Sequence, residues 1–340
     1  MSAERTRIGI VGTGGIALVH AKGIEERSPS CELVAACDTN RETLERFCAG
    51  RRETARYDDY RRLIEDPGVD AVLVALPHHL HVDVCRAAFA AGKHVLVEKP
   101  ITRSLDEADA IIDAATCAGR VLMVAHNQRY SPLYRTVCDL IRGGRLGTIL
   151  SATIDHHQNF DRPKGHWWRS HEMVGGGCVI GSGIHRLDLL NWYLGEPERV
   201  YAAGVSEPSR LEAEAIVGAV ISYRGGTVAN FYCNWAACKP PQSRTAGGES
   251  LAVFGTAGTL YVEDRDTLQF AARTKPGEPA SFEAIAVASD GASMWEHFAA
   301  CVRKGEAPLT DGMEARKALE VVTAIYRSMD TGTPVELSPA

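Results

Sequence analysis

The stretch RIGIVGTGGIA, Arg7 to Ala17, constrains the fold of this chain more than any other. An apolar run, RIGIV, leads straight into Gly12-Thr13-Gly14-Gly15-Ile16-Ala17 and on into an amphipathic segment, which is G-x-G-x-x-A in a strand-turn-helix setting. Gly12 permits the tight turn, Gly14 lets a pyrophosphate approach the backbone, and Ala17 lets helix and strand pack closely. The N-terminus of the helix then faces negative charge. Gly12, Thr13, Gly14, Gly15 and Ile16 are therefore assigned to a dinucleotide.

The rhythm of the first 130 residues agrees. ELVAAC (Glu32 to Cys37), AVLVAL (Ala71 to Leu76), HVLVE (His94 to Glu98) and VLMVA (Val121 to Ala125) are the near-continuous apolar runs that a sheet covered on both faces requires. Between them lie amphipathic stretches: IALVHAKGIEER, RETLERFCAG, VDVCRAAFAAG and Ser104 to Ala118, the last opened by an S-x-x-E capping box of Ser104 and Glu107. This predicts an α/β Rossmann domain over residues 1–128, with a parallel sheet. Asp38 ends the second strand, where a carboxylate accepts hydrogen bonds from ribose hydroxyls and repels a 2′-phosphate. NAD is the expected cofactor, and Arg41, nearby in sequence, leaves NADP open.

From about Ser151 the strands follow one another without a helix between each pair: ILSATIDHH, RVYAAGV, EAIVGAVISY, GTVANFYCNW, ESLAVFG and GTLYVED. They predict an antiparallel sheet with a hairpin turn at Arg224-Gly225-Gly226, in an α+β domain over 129–340. Helices are expected at Pro132–Gly143, Ile184–Leu194, Ser293–Arg303 and Met313–Met329, and a mobile loop at Lys239–Gly248 (KPPQSRTAGG). A length of 340 residues fits two such domains.

Composition excludes several classes of partner. A formal charge of -6 argues against nucleic acid, whose phosphates need clustered Lys and Arg. No run approaches the length of a membrane span, and MSAERTRIGI lacks the basic start and apolar core of a signal peptide, so a cytoplasmic protein is expected. The ten cysteines are scattered without a CxxC pair and read as buried, reduced thiols. The histidine pairs lack partners at metal-ligand spacing, so no metal is expected.

A second cluster lies where AVLVAL ends at Pro77-His78-His79-Leu80-His81 and HVLVE ends at Glu98-Lys99-Pro100. Both strand ends fall on the ligand side of a doubly wound sheet, which adds Leu76, Pro77, His78, His81, Glu98 and Lys99 to the cofactor set. Lys99 also follows an apolar strand and precedes a proline that restricts its backbone.

With these residues in view, the chain resembles the Gfo/Idh/MocA family of sugar and cyclitol oxidoreductases. GIVGTGGIA, LPHHLH, EKP, HNQRYSP (His126 to Pro132) and GGG…GIHRLD (Gly175 to Asp188) stand in family order over nearly the whole chain. The resemblance implies a Rossmann domain followed by a domain with a large open antiparallel sheet, through which homodimers or homotetramers assemble. It implies that Lys99 binds the reacting hydroxyl or carbonyl oxygen beside the nicotinamide, that His185 is the acid/base group, and that Asn127 belongs to the cofactor set. The pair makes physical sense, because hydride leaves a carbon only as its hydroxyl loses a proton; a base titrating near neutrality and a cation for the developing alkoxide serve that step.

The substrate set is Lys99, His157, Trp168, Arg169 and His185. Trp167 and Trp168 either face a sugar ring or belong to the core; Arg169 is a donor to hydroxyls or cofactor; His156 and His157 end the first strand of the second domain. In the family an aspartate commonly stands four residues before the histidine, and here that position is Gly181. Asp155, Asp161 and Glu172 are candidates to replace it, while Asp188, one turn after His185, is expected to support the helix. His78 occupies a position where asparagine is frequent. The expected function is an NAD-dependent oxidoreductase that moves a hydride between nicotinamide and a secondary alcohol or ketone of a sugar, cyclitol or glycoside. The alternatives are transient ring oxidation leading to glycoside cleavage or epimerisation, and a cofactor-binding regulator without catalysis.

Overall fold

The computed structural model describes residues 5–238, 248–262, 268–274, 281–287 and 293–338. The expected loop at Lys239–Gly248 lies, apart from its last residue, outside them. The chain divides into two compact units: Met1–Asn127 with Ala292–Arg316, and Gln128–Gly291 with Lys317–Ala340.

The first unit is built on six parallel strands: β1 (Thr6–Val11), β2 (Cys31–Cys37), β3 (Ala55–Tyr57), β4 (Ala71–Val74), β5 (His94–Val97) and β6 (Leu122–Val124), in the order β3-β2-β1-β4-β5-β6. Helices α1 (Gly15–Arg27), α2 (Arg41–Cys48), α3 (Tyr60–Glu65), α4 (His81–Ala90) and α5 (Leu105–Ala118) connect them. Strands β4 and β5 are buried almost throughout, as their unbroken apolar sequences require. At α5 half of the expected capping box forms. Ser104 accepts the Glu107 N–H at 3.3 Å, but the Glu107 carboxylate turns to the Arg103 N–H at 3.0 Å. Strand β3 and helix α3 escape the sequence analysis because three and six residues are too few to show a period.

The second unit contains α6 (Pro132–Arg142), β7 (Ile149–His157), α7 (His171–Val174), α8 (Ile184–Leu194), β8 (Pro197–Ser206), β9 (Glu214–Tyr223), β10 (Val228–Asn234), β11 (Gly248–Gly255), β12 (Gly258–Val262), β13 (Leu268–Ala272) and β14 (Phe282–Ile285). Helices α9 (Met294–Lys304) and α10 (Gly312–Thr331) follow, and β15 (Val335–Glu336) closes the sheet at its far edge. The nine strands run β14-β13-β12-β11-β7-β10-β9-β8-β15. One pair departs from the expected antiparallel sheet. β10 lies parallel to β7, from Ser151 opposite Val228 to His157 opposite Asn234, because the chain crosses over through α7 and α8 before β8, β9 and β10 come back beside β7. The hairpin at Arg224-Gly225-Gly226 joins β9 to β10, with the Gly226 N–H donating to the Tyr223 carbonyl at 2.8 Å.

Residues 292–316, assigned above to the second domain, pack with the first unit. Ser28 and Ser293 share a hydroxyl hydrogen bond of 2.9 Å, Glu296 accepts the Ser30 N–H and hydroxyl at 2.9 Å each, and Cys31 donates to the Trp295 carbonyl. Such returns depend on partners some 265 positions away and leave no local period.

Alternation along the strands of the large sheet gives it two unlike faces. Ala152, Ile154, Val217, Ile221, Phe231 and Val253 are buried, and α8 packs on their side. The other face exposes Tyr201, Val205, Val220 and Phe282. Eight of the ten cysteines are buried, as expected; Cys117 and Cys238 are exposed.

Candidate functional site

The glycine turn sits where strand order reverses between β1 and β4, the point at which open α/β sheets bind ligands. Gly12 has φ +92°, and a Cβ there would lie 2.3 Å from the Ala75 carbonyl oxygen, so no other residue fits. A Cβ on Gly14 or Gly15 would meet nothing within 4 Å, which leaves the outer surface of the turn open to a ligand's backbone approach. Gly14 caps α1 with no side chain to take its first N–H groups, and the first turn carries no acid. Those donors and the positive helix end suit a pyrophosphate.

Asp38 is oriented by three donors: the Thr13 N–H and hydroxyl, each 2.9 Å from Oδ2, and the Asn40 N–H, 2.8 Å from Oδ1. Its carboxylate borders a cleft of about 490 Å³ that Gly12, Leu76 and Tyr60 also line. Asp58, Asp59 and Asp83 add negative charge to that cleft, and its cation is Arg61 rather than the expected Arg41. Arg61 lies 3.7 Å from Asp59 and covers the Tyr60 ring. This group depends on α3, whose six residues are too few to show a period, so it was not legible in the sequence. The residues present fit the adenosine half of a dinucleotide.

At the neighbouring strand ends, Glu98 is buried with Oε1 2.7 Å from His20 Nε2, while Oε2 accepts the Lys99 N–H at 3.1 Å. Burial alone would raise the Glu98 carboxyl, but the His20 bond and the Lys99 charge bring it below the usual carboxylate range. The carboxylate thus ties α1 to the segment carrying Lys99, whose bond to Pro100 is cis. His81 is fully buried, with ring nitrogens 3.0 Å from the Leu76 and Pro100 carbonyls, so it joins the two strand ends internally and its side chain does not face a ligand. His78 is buried with its ring 5.8 Å from that of His81, Pro77 is half-buried, and Ile16 and Asn127 are exposed.

In the second unit His185 is the second residue of α8, directly after a π turn over Val179–Gly183 in which the Ile184 N–H reaches the Val179 carbonyl. Asp188 supports this helix as expected. It accepts the Arg129 guanidinium at 2.9 and 2.8 Å, with both side chains buried. Arg186 is also anchored, to Glu249, which Tyr134 contacts in turn.

Gly181, one turn before His185, has no room for a carboxylate. A Cβ there would lie 2.2 Å from Cη2 of Trp235 and 3.0 Å from Cζ3 of Trp168. Trp235 is buried, stacked on Phe160 at 3.9 Å, and donates its indole N–H to Ser182 Oγ at 2.7 Å. The space beside the helix is therefore aromatic. Asp155 instead accepts the Ser250 hydroxyl at 3.3 Å, Asp161 is largely exposed near Arg169, and Glu172 is exposed on α7.

Trp168 is half-buried in the same aromatic group, 4.5 Å from the Trp167 ring and 5.8 Å from that of Trp235. Arg169 donates to the Arg162 and Ser209 carbonyls at 3.1 and 2.6 Å, a bridge between two loops rather than a group turned to a substrate. His157 is not brought together with His185. By strand alternation it lies on the open face beside Tyr232, while α8 covers the opposite face.

Residues 6–126 match the model of an oxidoreductase family with an NAD-binding Rossmann fold, and residues 134–261 match the GFO/IDH/MocA C-terminal domain. D-xylose 1-dehydrogenase (NADP(+)) 2 of Haloferax volcanii is 30% identical over 337 residues, which cover 97% of this chain and 99% of that one. The chain belongs to the Gfo/Idh/MocA family. It is an NAD(P)-dependent oxidoreductase, and its first unit is the NAD-binding domain. The scyllo-inositol 2-dehydrogenase (NAD(+)) of Bacillus subtilis is 27% identical, covering 98% of this chain and 97% of its own. Among solved structures, the WlbA dehydrogenase of Bordetella pertussis, in complex with NADH and UDP-GlcNAcA, superposes with a TM-score of 0.81 at 27% identity over 99% of this chain and 100% of that one. Among the described residues no helix is long and apolar enough to cross a membrane, and no three His, Cys, Asp or Glu side chains gather as a metal site.

Proposed function

We propose that this oxidoreductase oxidises a secondary alcohol of a sugar or cyclitol, or reduces the matching ketone, with NAD preferred to NADP and with Lys99 and His185 as its working pair. Relatives named for D-xylose and scyllo-inositol support the substrate class. The observation that carries the reading is the preparation of both groups: Lys99 at a strand end tied to the cofactor helix through Glu98 and His20, and His185 on a helix fixed by the buried Asp188–Arg129 pair. Four carboxylates around the Asp38 cleft, against one arginine, support the preference for NAD over a cofactor with a 2′-phosphate.

Gly12 to Ile16 and Asp38 would hold NAD, which supplies the hydride acceptor when bound. The Lys99 ammonium steadies the substrate oxygen as negative charge develops on it, and the His185 imidazole takes the hydroxyl proton. Trp168 offers an aromatic surface suited to the apolar face of a sugar ring. The exposed face of the large sheet, with Tyr201, Val205 and Val220, supports assembly into a homodimer or homotetramer, and ten unpaired cysteines support a reducing compartment such as the cytoplasm.

NADH formation across a panel of sugars and cyclitols tests this reading. Lys99→Ala and His185→Ala should each cut kcat by at least about a hundredfold, the scale of an acid/base group. Near wild-type turnover in either variant would remove that residue from the mechanism. Cofactor binding with no turnover at all would make the protein a regulator, and substrate consumption without net NADH would indicate transient ring oxidation.

A further inference from the structure

The helix carrying His185 is capped from a distance. The first N–H groups of a helix have no partner within it. Here Glu214, the first residue of β9, accepts the Gly177 N–H on Oε2 at 2.9 Å and the Val179 N–H on Oε1 at 3.0 Å. Tyr326 of α10 donates its hydroxyl to the same Oε1 at 3.1 Å and accepts the Ile180 N–H at 3.4 Å. Two side chains far apart in sequence thus hold three of the leading donors, and the carboxylate meets the positive end of the helix.

The glycines Gly176 and Gly177 make this approach possible. A Cβ on Gly176 would lie 2.0 Å from the Tyr326 hydroxyl oxygen, and one on Gly177 would lie 2.0 Å from the Glu214 carbonyl oxygen. Any side chain at either position would push the clamp off the helix. Directly beyond it comes the π turn over Val179–Gly183, and then His185. One extra residue in a turn rotates everything that follows by roughly 100°, so the turn decides which way the imidazole leaves the helix.

We propose that Glu214, together with Tyr326, is a positioning residue for His185: the pair holds the π turn and thereby sets the direction of the imidazole. The inference rests on the reading of His185 as the proton-handling group. Glu214 is 5% exposed, and burial pushes its carboxyl above the usual range against the opposing pull of its N–H and hydroxyl donors. The titratable groups facing it are Tyr326 and Cys178, both raised well above their ordinary values by burial.

Glu214→Gln keeps the shape and removes the charge. Tyr326→Phe removes one hydroxyl and no charge, and carries the test if the first variant folds poorly. Both are assayed as full-length protein with NAD and the panel substrate that the wild type turns over best, while hydrogen exchange is followed at the backbone amides of residues 177–185. In Glu214→Gln we expect kcat to fall about tenfold to a hundredfold, the scale of a misplaced catalytic group, with the KM for NAD within about twofold of wild type. Tyr326→Phe should lose less, about threefold to tenfold. In both variants exchange at Val179 and Ile180 should quicken and the inflection of the kcat against pH profile should move.

A merely structural role would lower the melting temperature yet leave kcat of the folded enzyme and its inflection unchanged. That result overturns the proposal, as does unchanged exchange at Val179 and Ile180 in both variants. A wild type that turns over nothing in the panel overturns the reading of His185 instead, and the exchange data then decide by themselves whether the clamp exists.

Discussion

At Gly181 the buried Trp235 ring occupies the space a side chain would need, and that ring is fixed by its stack on Phe160 and its bond to Ser182. Gly181→Asp should therefore destabilise by about 1–3 kcal/mol, the usual cost of overpacking. Trp235→Leu in the same chain should relieve the collision, so a double-mutant cycle on melting should return a favourable coupling above about 0.5 kcal/mol. Strict additivity would show that the two positions do not compete for space. Asp38 acts through charge. Removing it in Asp38→Ala takes away the partner of Thr13 and the carboxylate at the cleft, and the ratio of kcat/KM for NAD over NADP should drop by about tenfold or more. An unchanged ratio would shift cofactor choice to Asp58, Asp59 and Asp83. Asp38 itself was readable from its place at the end of an apolar run. The aromatic filling beside Gly181 was not, because Phe160, Trp168 and Trp235 meet only when separate segments converge.

Single elements are coupled by side chains that report on pH. His94, at the start of β5, accepts the Val121 N–H on Nδ1 at 3.0 Å, which joins it to the chain leading into β6. Burial, with the Arg120 charge as a second cause, holds its imidazole below the ordinary 6.5, and burial lowers His81 in the same direction. The folded form is thus the neutral ring, because protonating Nδ1 would displace the N–H it accepts. A group with a depressed folded pKa contributes stability that is complete above its unfolded value and lost as pH falls through the folded one. Melting temperature should accordingly fall as the pH drops below the ordinary imidazole value of 6.5, and less steeply in His94→Asn, whose amide oxygen accepts the same N–H without titrating. Equal slopes in the two proteins would exclude His94 as a contributor. The long elements were legible because burial imposes a period on them. Helices Ile184–Leu194 and Pro132–Arg142 and the strands around the glycine turn stand within a residue or two of expectation. Strands β13, β14 and β15, at five, four and two residues, lie at or near the sheet's edges and carry too little pattern to be read.

For the whole molecule, the open face of the nine-stranded sheet carries exposed apolar side chains, with Tyr201 and Val220 opposite one another on it. If that face joins copies of the chain, Val220→Arg should shift the mass measured by light scattering toward a monomer while leaving cofactor binding intact. A wild type that is monomeric at working concentration would end the idea. The sequence by itself determined what local rules govern: the parallel unit, its glycine turn and the acid ending β2, each written in residues close together, where turn geometry and hydrophobic period act. The family resemblance, carried by motifs in order over nearly the whole chain, supplied the roles expected of Lys99 and His185. Only the tertiary structure decided the contacts that span the chain: the return of residues 292–316 to the first unit, the parallel β7–β10 pair, Arg169 bonded to loop carbonyls, His157 on the far face of the sheet, and Glu214 with Tyr326 at the head of the His185 helix. Such contacts join residues up to 266 positions apart, and they are chosen by which surfaces fit once the elements exist.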